Sequence, residues 1–227
     1  MCSGCANWAG SKAAPSSLTI AGRRDVASGD PVGRGLVASL ARPGGNVTGL
    51  SIQLPELAGK RLGLLHEVVP GLRRLAVMAN VGAPNAVLEV AEAQAAARTL
   101  GLEVAAFEIR RAEDFASTFD ALKGRADALY VCGDALVVSN RVRINTLALG
   151  ARMPTVYFSR DLVESGGLMS YGANFPDMWR RTAELVDNDI PIEQPTKFDL
   201  VINLTTARAL DLTIPESFLS RADEVIE

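Results

Sequence analysis

The sequence predicts an α/β protein whose middle section is a doubly wound parallel sheet. Three observations predict it. Residues 74–158 read strand, polar loop, helix three times over, with apolar strands at 74–79, 128–132 and 154–158. Strands that alternate with helices pair in parallel, because each crossover carries the chain back to the starting edge of the sheet. The strands are near-continuous apolar runs, the pattern of a sheet covered on both faces. They also end in polar residues: Asn80 after the first, Gly133-Asp134 after the second, Ser159-Arg160 after the third. In such sheets ligands bind beyond the carboxyl ends of the strands, so the pattern points to a small-molecule site, and to binding more than to catalysis.

The elements follow in order. Residues 29–33 (GDPVG) make a turn into a short helix over 36–41, which Arg42-Pro43-Gly44-Gly45-Asn46 ends; a strand over 47–52 follows. Pro55 opens a helix with apolar Leu57, Leu62, Leu64, Leu65 and Val68, and Pro70-Gly71 stops it. His66, beside Glu67 on that helix, reads as a solvated surface residue. Pro84 begins the next helix, which is rich in alanine and ends before Gly101; 102–109 returns as a strand. Phe115, Phe119 and Leu122 mark one buried stripe of a third helix. Residues 136–149 read as a single helix with Ser139 as its cap and Gly150 as its stop. Beyond Ser159 the reading is a strand over 168–171, a helix from Pro176, an extended link around Pro191 and Pro195, a strand over 198–203 and a helix over 205–210.

Composition narrows the class. A chain of 227 residues, 48% hydrophobic and 22% charged, suits one large domain or two small α/β lobes. A net charge of −3 argues against nucleic acid as a partner. No apolar run of about 18 residues is present, so direct membrane insertion is not expected. Residues 1–17 hold one Lys and no apolar core, which predicts no signal peptide and an unstructured tail extending through residue 27. Of the three cysteines, Cys2 and Cys5 sit in that tail, outside any strand-to-helix turn, and Cys132 lies in an apolar strand as a small buried hydrophobe. With one His in the chain, neither a zinc site nor another metal centre is expected.

Several strings taken together carry a resemblance. They are Gly29-Asp30-Pro31-Val32-Gly33 with Leu40-Ala41-Arg42-Pro43-Gly44-Gly45-Asn46-Val47-Thr48-Gly49; ESGGLMSYG over 164–172; Glu193-Gln194-Pro195-Thr196-Lys197-Phe198 with Leu200-Val201-Ile202-Asn203-Leu204; and Ala222-Asp223-Glu224-Val225-Ile226. From about residue 28 to the end, the chain resembles the ABC-transporter substrate-binding proteins of the tryptophan-uptake type. The resemblance implies a type I periplasmic-binding-protein fold: two doubly wound lobes that trap a ligand and pass it to an ABC permease. It implies no catalytic residue and no cofactor, and a periplasmic or extracellular setting, although a chain without a signal peptide would stay in the cytoplasm. The chain lacks the Gly-x-x-x-x-Gly-Lys-Ser/Thr loop of the partner ATPase.

The sequence departs from that family before Asp30, where a secretion signal and several β-α units are expected, at the charged run Arg23-Arg24-Asp25, and in the short link over 186–195. The expected organisation is therefore a tail over 1–27, a complete lobe over 72–160, and a partial first lobe from 28–71 and 161–227.

The candidate ligand-binding residues are Asp30, Asn80, Asn85, Asp134, Ser159, Arg160 and Tyr171. Asn80 and Asn85 flank the start of the Pro84 helix, whose free N–H groups suit a carboxylate; Asn80 otherwise satisfies its own turn. Asp134 either holds an ammonium or caps the following helix. Arg160 either grips a carboxylate or forms an interlobe salt bridge. Asp30 faces the cleft from the other lobe, and Tyr171 is a cleft wall or ordinary packing. The set fits an amino acid. An enzyme would need a catalytic pair that Cys132 and His66 do not make. A regulator's sensor half would need a helix-turn-helix before Gly29, and a truncated, non-transporting homologue is the remaining alternative.

Overall fold

The computed structural model describes residues 55–185 and 194–227, and the expectations for the tail, the Asp30 loop, the strand over 47–52 and the link over 186–193 lie outside them. The chain enters on a 3-10 turn, Pro55–Leu57, that runs into α1, Ala58–Val68. Leu62, Leu65 and Val68 are sealed from solvent, so one stripe of α1 faces inward. His66 is exposed, as its sequence context predicts.

Seven strands follow: β1 Arg74–Asn80, β2 Glu103–Ile109, β3 Ala128–Val131, β4 Thr155–Tyr157, β5 Met169–Ala173, β6 Phe198–Asn203 and β7 Glu224–Ile226. They form one sheet in the order β2-β1-β3-β4-β5-β6-β7. Every neighbouring pair is parallel except β5 with β6. The helices between strands are α2 Pro84–Thr99, α3 Asp114–Leu122, α4 Ala135–Ser139, α5 Arg141–Gly150, α6 Arg160–Glu164, α7 Phe175–Leu185, α8 Leu204–Ala209 and α9 Glu216–Leu219.

Two-residue alternation along the strands divides the core between the sheet's faces. Leu75 and Val77 of β1 join a cluster with Leu62, Leu65, Ala86 and Ala93, whereas Ala76 and Met78 join Phe115, Phe119, Leu122 and Ile144 on the other side. Helices α1 and α2 thus cover one face, and α3 and α5 the other. Ala86, Ala93 and Ala97 form the buried side of α2, and their short side chains let that helix lie close to the sheet. Gly101 ends α2 at φ 70°, a left-handed turn that costs a glycine little.

Two local readings need correction. The span 136–149 is two helices, α4 and α5, which meet at Asn140 with φ −112° and ψ 16°. The Asn140 side-chain amide donates to the Leu136 carbonyl at 2.9 Å, competing with the helical ladder at the break. The cap is Asp134 rather than Ser139: its Oδ1 accepts from the Val137 N–H at 2.8 Å.

Strands from both sides of residue 160 belong to this one sheet. Helix α1 packs into the same core as β1 and β3, and β5 pairs directly with β4 through Val156 and Met169. Strands β6 and β7 then extend the sheet beyond β5.

Candidate ligand-binding site

The carboxyl ends of β1, β3, β4 and β5 lie along one edge of the sheet. Because β6 runs the other way, its first residues lie at that edge too. Several chemistry-bearing side chains therefore gather there from distant parts of the sequence.

Asn80 ends β1, and its Nδ2 donates to Oδ2 of Asp134, while its Oδ1 accepts from the Gly82 N–H at 3.0 Å. Asp134 is 3% exposed, so Val137 and Asn80 hold its two oxygens in fixed directions. Each oxygen keeps a lone pair for a further donor. Helix α2 begins four residues after Asn80, with Ala83 at its N-cap and no side-chain cap. Its first residue, Pro84, carries no N–H, and the Ala86 N–H donates to the Ala83 carbonyl at 3.0 Å. Asn85, half-buried, lies in that first turn. The sequence left two readings open for Asn80 and for Asp134; the structure supplies the turn and the cap, and joins the two side chains as well.

The other candidates are placed differently. Ser159 is buried at the N-cap of α6 without a side-chain cap bond. Arg160 forks onto Glu224, with Nε at 2.6 Å and Nη2 at 2.8 Å, and its Nη1 reaches Glu164 at 2.7 Å. Those bonds hold the Glu224 carboxyl below its ordinary range and push the Arg160 guanidinium up. This is an ion pair to β7 of the same sheet. The Tyr171 ring stacks on Phe198 with centroids 6.0 Å apart and planes at 22°, which is packing across the antiparallel β5–β6 pair. Asp30 lies outside the described residues.

Sequence reasoning missed two residues at this edge. Asn174 follows β5; its Nδ2 donates to Asp199 Oδ2 at 2.7 Å and its Oδ1 accepts from the Asp177 N–H at 2.7 Å, capping α7. Burial pushes the Asp199 carboxyl up, and the Asn174 bond opposes the shift. Asn174 obeys the rule that picked out Asn80, a polar residue directly after an apolar strand. Asp199 carried no such signal, because it opens a strand whose reversed direction is invisible in the sequence. A shallow depression lies beside them, lined by Arg160, Asp161, Gly172, Ala173 and Asp199 among others.

Beneath the edge is a fully buried ion pair that the sequence did not reveal. Arg61 on α1 and Glu89 on α2 are both 0% exposed, and Nη1 lies 2.8 Å from Oε1. The Tyr130 hydroxyl donates to Glu89 Oε1 at 2.7 Å and accepts from Arg61 Nη1 at 3.0 Å. The Gly133 N–H donates to Glu89 Oε2 at 2.9 Å, and Arg61 Nε donates to the Tyr171 carbonyl at 2.7 Å. Burial pushes the Glu89 carboxyl up, while Arg61, Gly133 and Tyr130 pull it back. Cys132, next to this network, is sealed and its thiol is pushed well up by burial, which suits a packing role. Among the described residues, no group of His, Cys, Asp and Glu gathers as a metal site would require, and no helix is long and apolar enough to cross a membrane.

This mostly parallel α/β sheet with a polar carboxyl edge is of the type I periplasmic-binding-protein class. A family model described as ABC transporter substrate binding protein matches residues 26–226, and the chain belongs to that family, one of ligand-binding proteins rather than enzymes. The chain is 29% identical over 191 residues to a tyrosine-binding protein of Clostridioides difficile, covering 81% of this chain and 55% of the relative. It thus spans about half the length of that curated relative. Among solved structures it is similar to an ABC domain from Streptococcus pneumonia in complex with L-Trp, with 29% identity and a TM-score of 0.78 over 87% of this chain and 70% of that one. A conserved domain protein of Vibrio cholerae is similar to the same degree, with 29% identity and a TM-score of 0.78 over 87% and 69% of the two chains.

Proposed function

We propose that this chain is the substrate-binding component of an ABC transporter, that its ligand is an amino acid, and that it works outside the cytoplasmic membrane with a permease as partner. The observation that carries the reading is the Asn80–Asp134 pair beside the start of α2. In this reading the Asp134 carboxylate, held by the Val137 amide and Asn80, receives the ligand's ammonium. The N-terminal end of α2, at Asn85, lies nearest its carboxylate, and the helix dipole favours negative charge there. The relatives give the ligand class: one is named for tyrosine and another holds L-Trp. Asn174 and Asp199 widen the same edge toward β5 and β6, and Ser159 lies between the two halves. Asp30 is kept as a proposed ligand contact, and closure over the ligand would create the form the permease recognises. Arg160 serves the site through the Glu224 pair, and Tyr171 through packing.

Isothermal calorimetry with a panel of amino acids, purines and small carboxylic acids tests this. The expected result is saturable heat with L-Tyr or L-Trp at a Kd of about 1 μM or tighter, and none with purines. No heat with any amino acid would remove the proposal.

A further inference from the structure

Three segments of the candidate site are fastened to one buried ion pair. Glu89 lies one helical turn after Asn85 on α2, so the two share a face of that helix. Its Oε2 takes the amide of Gly133, the residue before Asp134, and Tyr130 on β3 binds its Oε1. Arg61 completes the frame by holding Glu89, Tyr130 and the carbonyl of Tyr171 on β5. In strand order these bonds reach from β1's helix to β3 and on to β5, passing over β4.

We infer that the Arg61–Glu89 pair is a positioning element for ligand binding. It fixes the spacing between the first turn of α2, the Gly133–Asp134 loop and β5, and so sets affinity without touching the ligand. The inference rests on the proposed function for its ligand readout. A buried ion pair gains little net stability, and well-packed apolar residues of similar volume usually serve the fold as well or better. Apolar side chains cannot hold the Gly133 amide or the Tyr171 carbonyl at a set angle, whereas a carboxylate and a guanidinium do. The bond to Gly133 matters most, because the next residue carries the carboxylate assigned to the ligand. Loss of that bond leaves Asp134 tied to the helix it caps but frees the loop that aims it.

The test separates positioning from stability. The double variant Arg61→Met/Glu89→Leu fills the volume and removes the bonds. Its melting temperature is expected within about 5 °C of wild type, in line with apolar replacement of buried pairs. Its affinity for L-Tyr or L-Trp is expected to fall about tenfold or more, the scale of losses when an outer supporting contact is cut. Amide hydrogen exchange at Gly133 and Val137, read without ligand, is expected to accelerate about tenfold while α3 is unchanged. A folded double variant with wild-type exchange at both amides overturns the inference, whatever it binds. If the wild type binds neither amino acid, the functional proposal falls and the exchange result alone decides this one. If that double variant does not fold, Arg61→Leu/Glu89→Met, which also removes the bond to Gly133, is read against the same criteria, and wild-type exchange at both amides is again contradictory.

Discussion

Asn80 and Asp134 lie 54 residues apart in the chain and meet side chain to side chain at the carboxyl edge of the sheet. The contact joins the end of β1 to the loop after β3, two neighbouring strands whose shared edge is where a doubly wound sheet takes its ligand. It orients a buried carboxylate that the Val137 amide already holds.

Two substitutions divide the roles of Asp134. Asp134→Ala removes the cap of α4 and strands the Asn80 amide, and is expected to cost about 1–2 kcal/mol of stability by thermal unfolding. Asp134→Asn keeps a capping oxygen and removes the charge. It is expected to melt within a few degrees of wild type while amino-acid affinity falls about tenfold or more by calorimetry, the scale of a lost charge-assisted bond. Equal affinity in wild type and Asp134→Asn would take the ammonium away from Asp134.

Arg160→Ala breaks the fork to Glu224 and the bond to Glu164. These groups are partly exposed, so the loss in chemical denaturation is expected to be about 1 kcal/mol or less. Ligand affinity is expected to change by less than about threefold, since the guanidinium is already committed to carboxylates of this chain. A loss of about a hundredfold would instead make Arg160 a direct ligand contact.

Gly172→Ala should be the most disruptive single change at this edge. A Cβ there would stand 1.8 Å from the Phe158 carbonyl oxygen and 2.8 Å from its carbon, so β5 could not keep its distance from the end of β4. The expected loss is about 3 kcal/mol or more, read as a melting drop of about 10 °C or an insoluble product. A soluble variant with wild-type melting would show that the backbone yields there.

Asp127 gives the pH prediction. It accepts from the Arg73 and Arg74 amides at 3.1 and 2.8 Å and from Arg74 Nη2 at 2.6 Å, which ties the start of β1 to the turn before β3. The Arg74 side chain is the main cause that holds its carboxyl below the ordinary value. A lowered folded-state pKa means the stabilisation is complete above the unfolded Asp value and fades as pH falls through the lowered one. The melting difference between wild type and Asp127→Asn is therefore expected to be largest near neutral pH and to shrink in acid. A difference that stays constant with pH would contradict the assignment.

How much of this was legible depends on the kind of signal. β1 and β3 stood out because Leu75-Ala76-Val77-Met78 and Ala128-Leu129-Tyr130-Val131 are apolar on both faces, and Phe115, Phe119 and Leu122 fixed the buried side of α3. Asn80 and Asp134 were legible one at a time from their places after strands; their contact was not, because register between strands leaves no local mark. The reversed direction of β6 and the pairing of β7 are likewise long-range, which hid Asp199 and the Glu224 partner of Arg160. Arg61 and Glu89 were hidden for another reason. Charged residues on helices usually face water, and only the fold shows that these two satisfy each other inside.

The central claim is that an amino acid binds where the ends of β1 and β3 meet the start of α2. Backbone amide NMR of the 227-residue protein, titrated with L-Tyr and L-Trp, tests it most directly. The account predicts that saturable shift changes among the described residues centre on Asn80, Gly82, Asn85, Gly133 and Asp134, with weaker ones at Asn174. Saturable changes that leave those amides untouched and centre elsewhere on the sheet, or no changes with either amino acid, would contradict it.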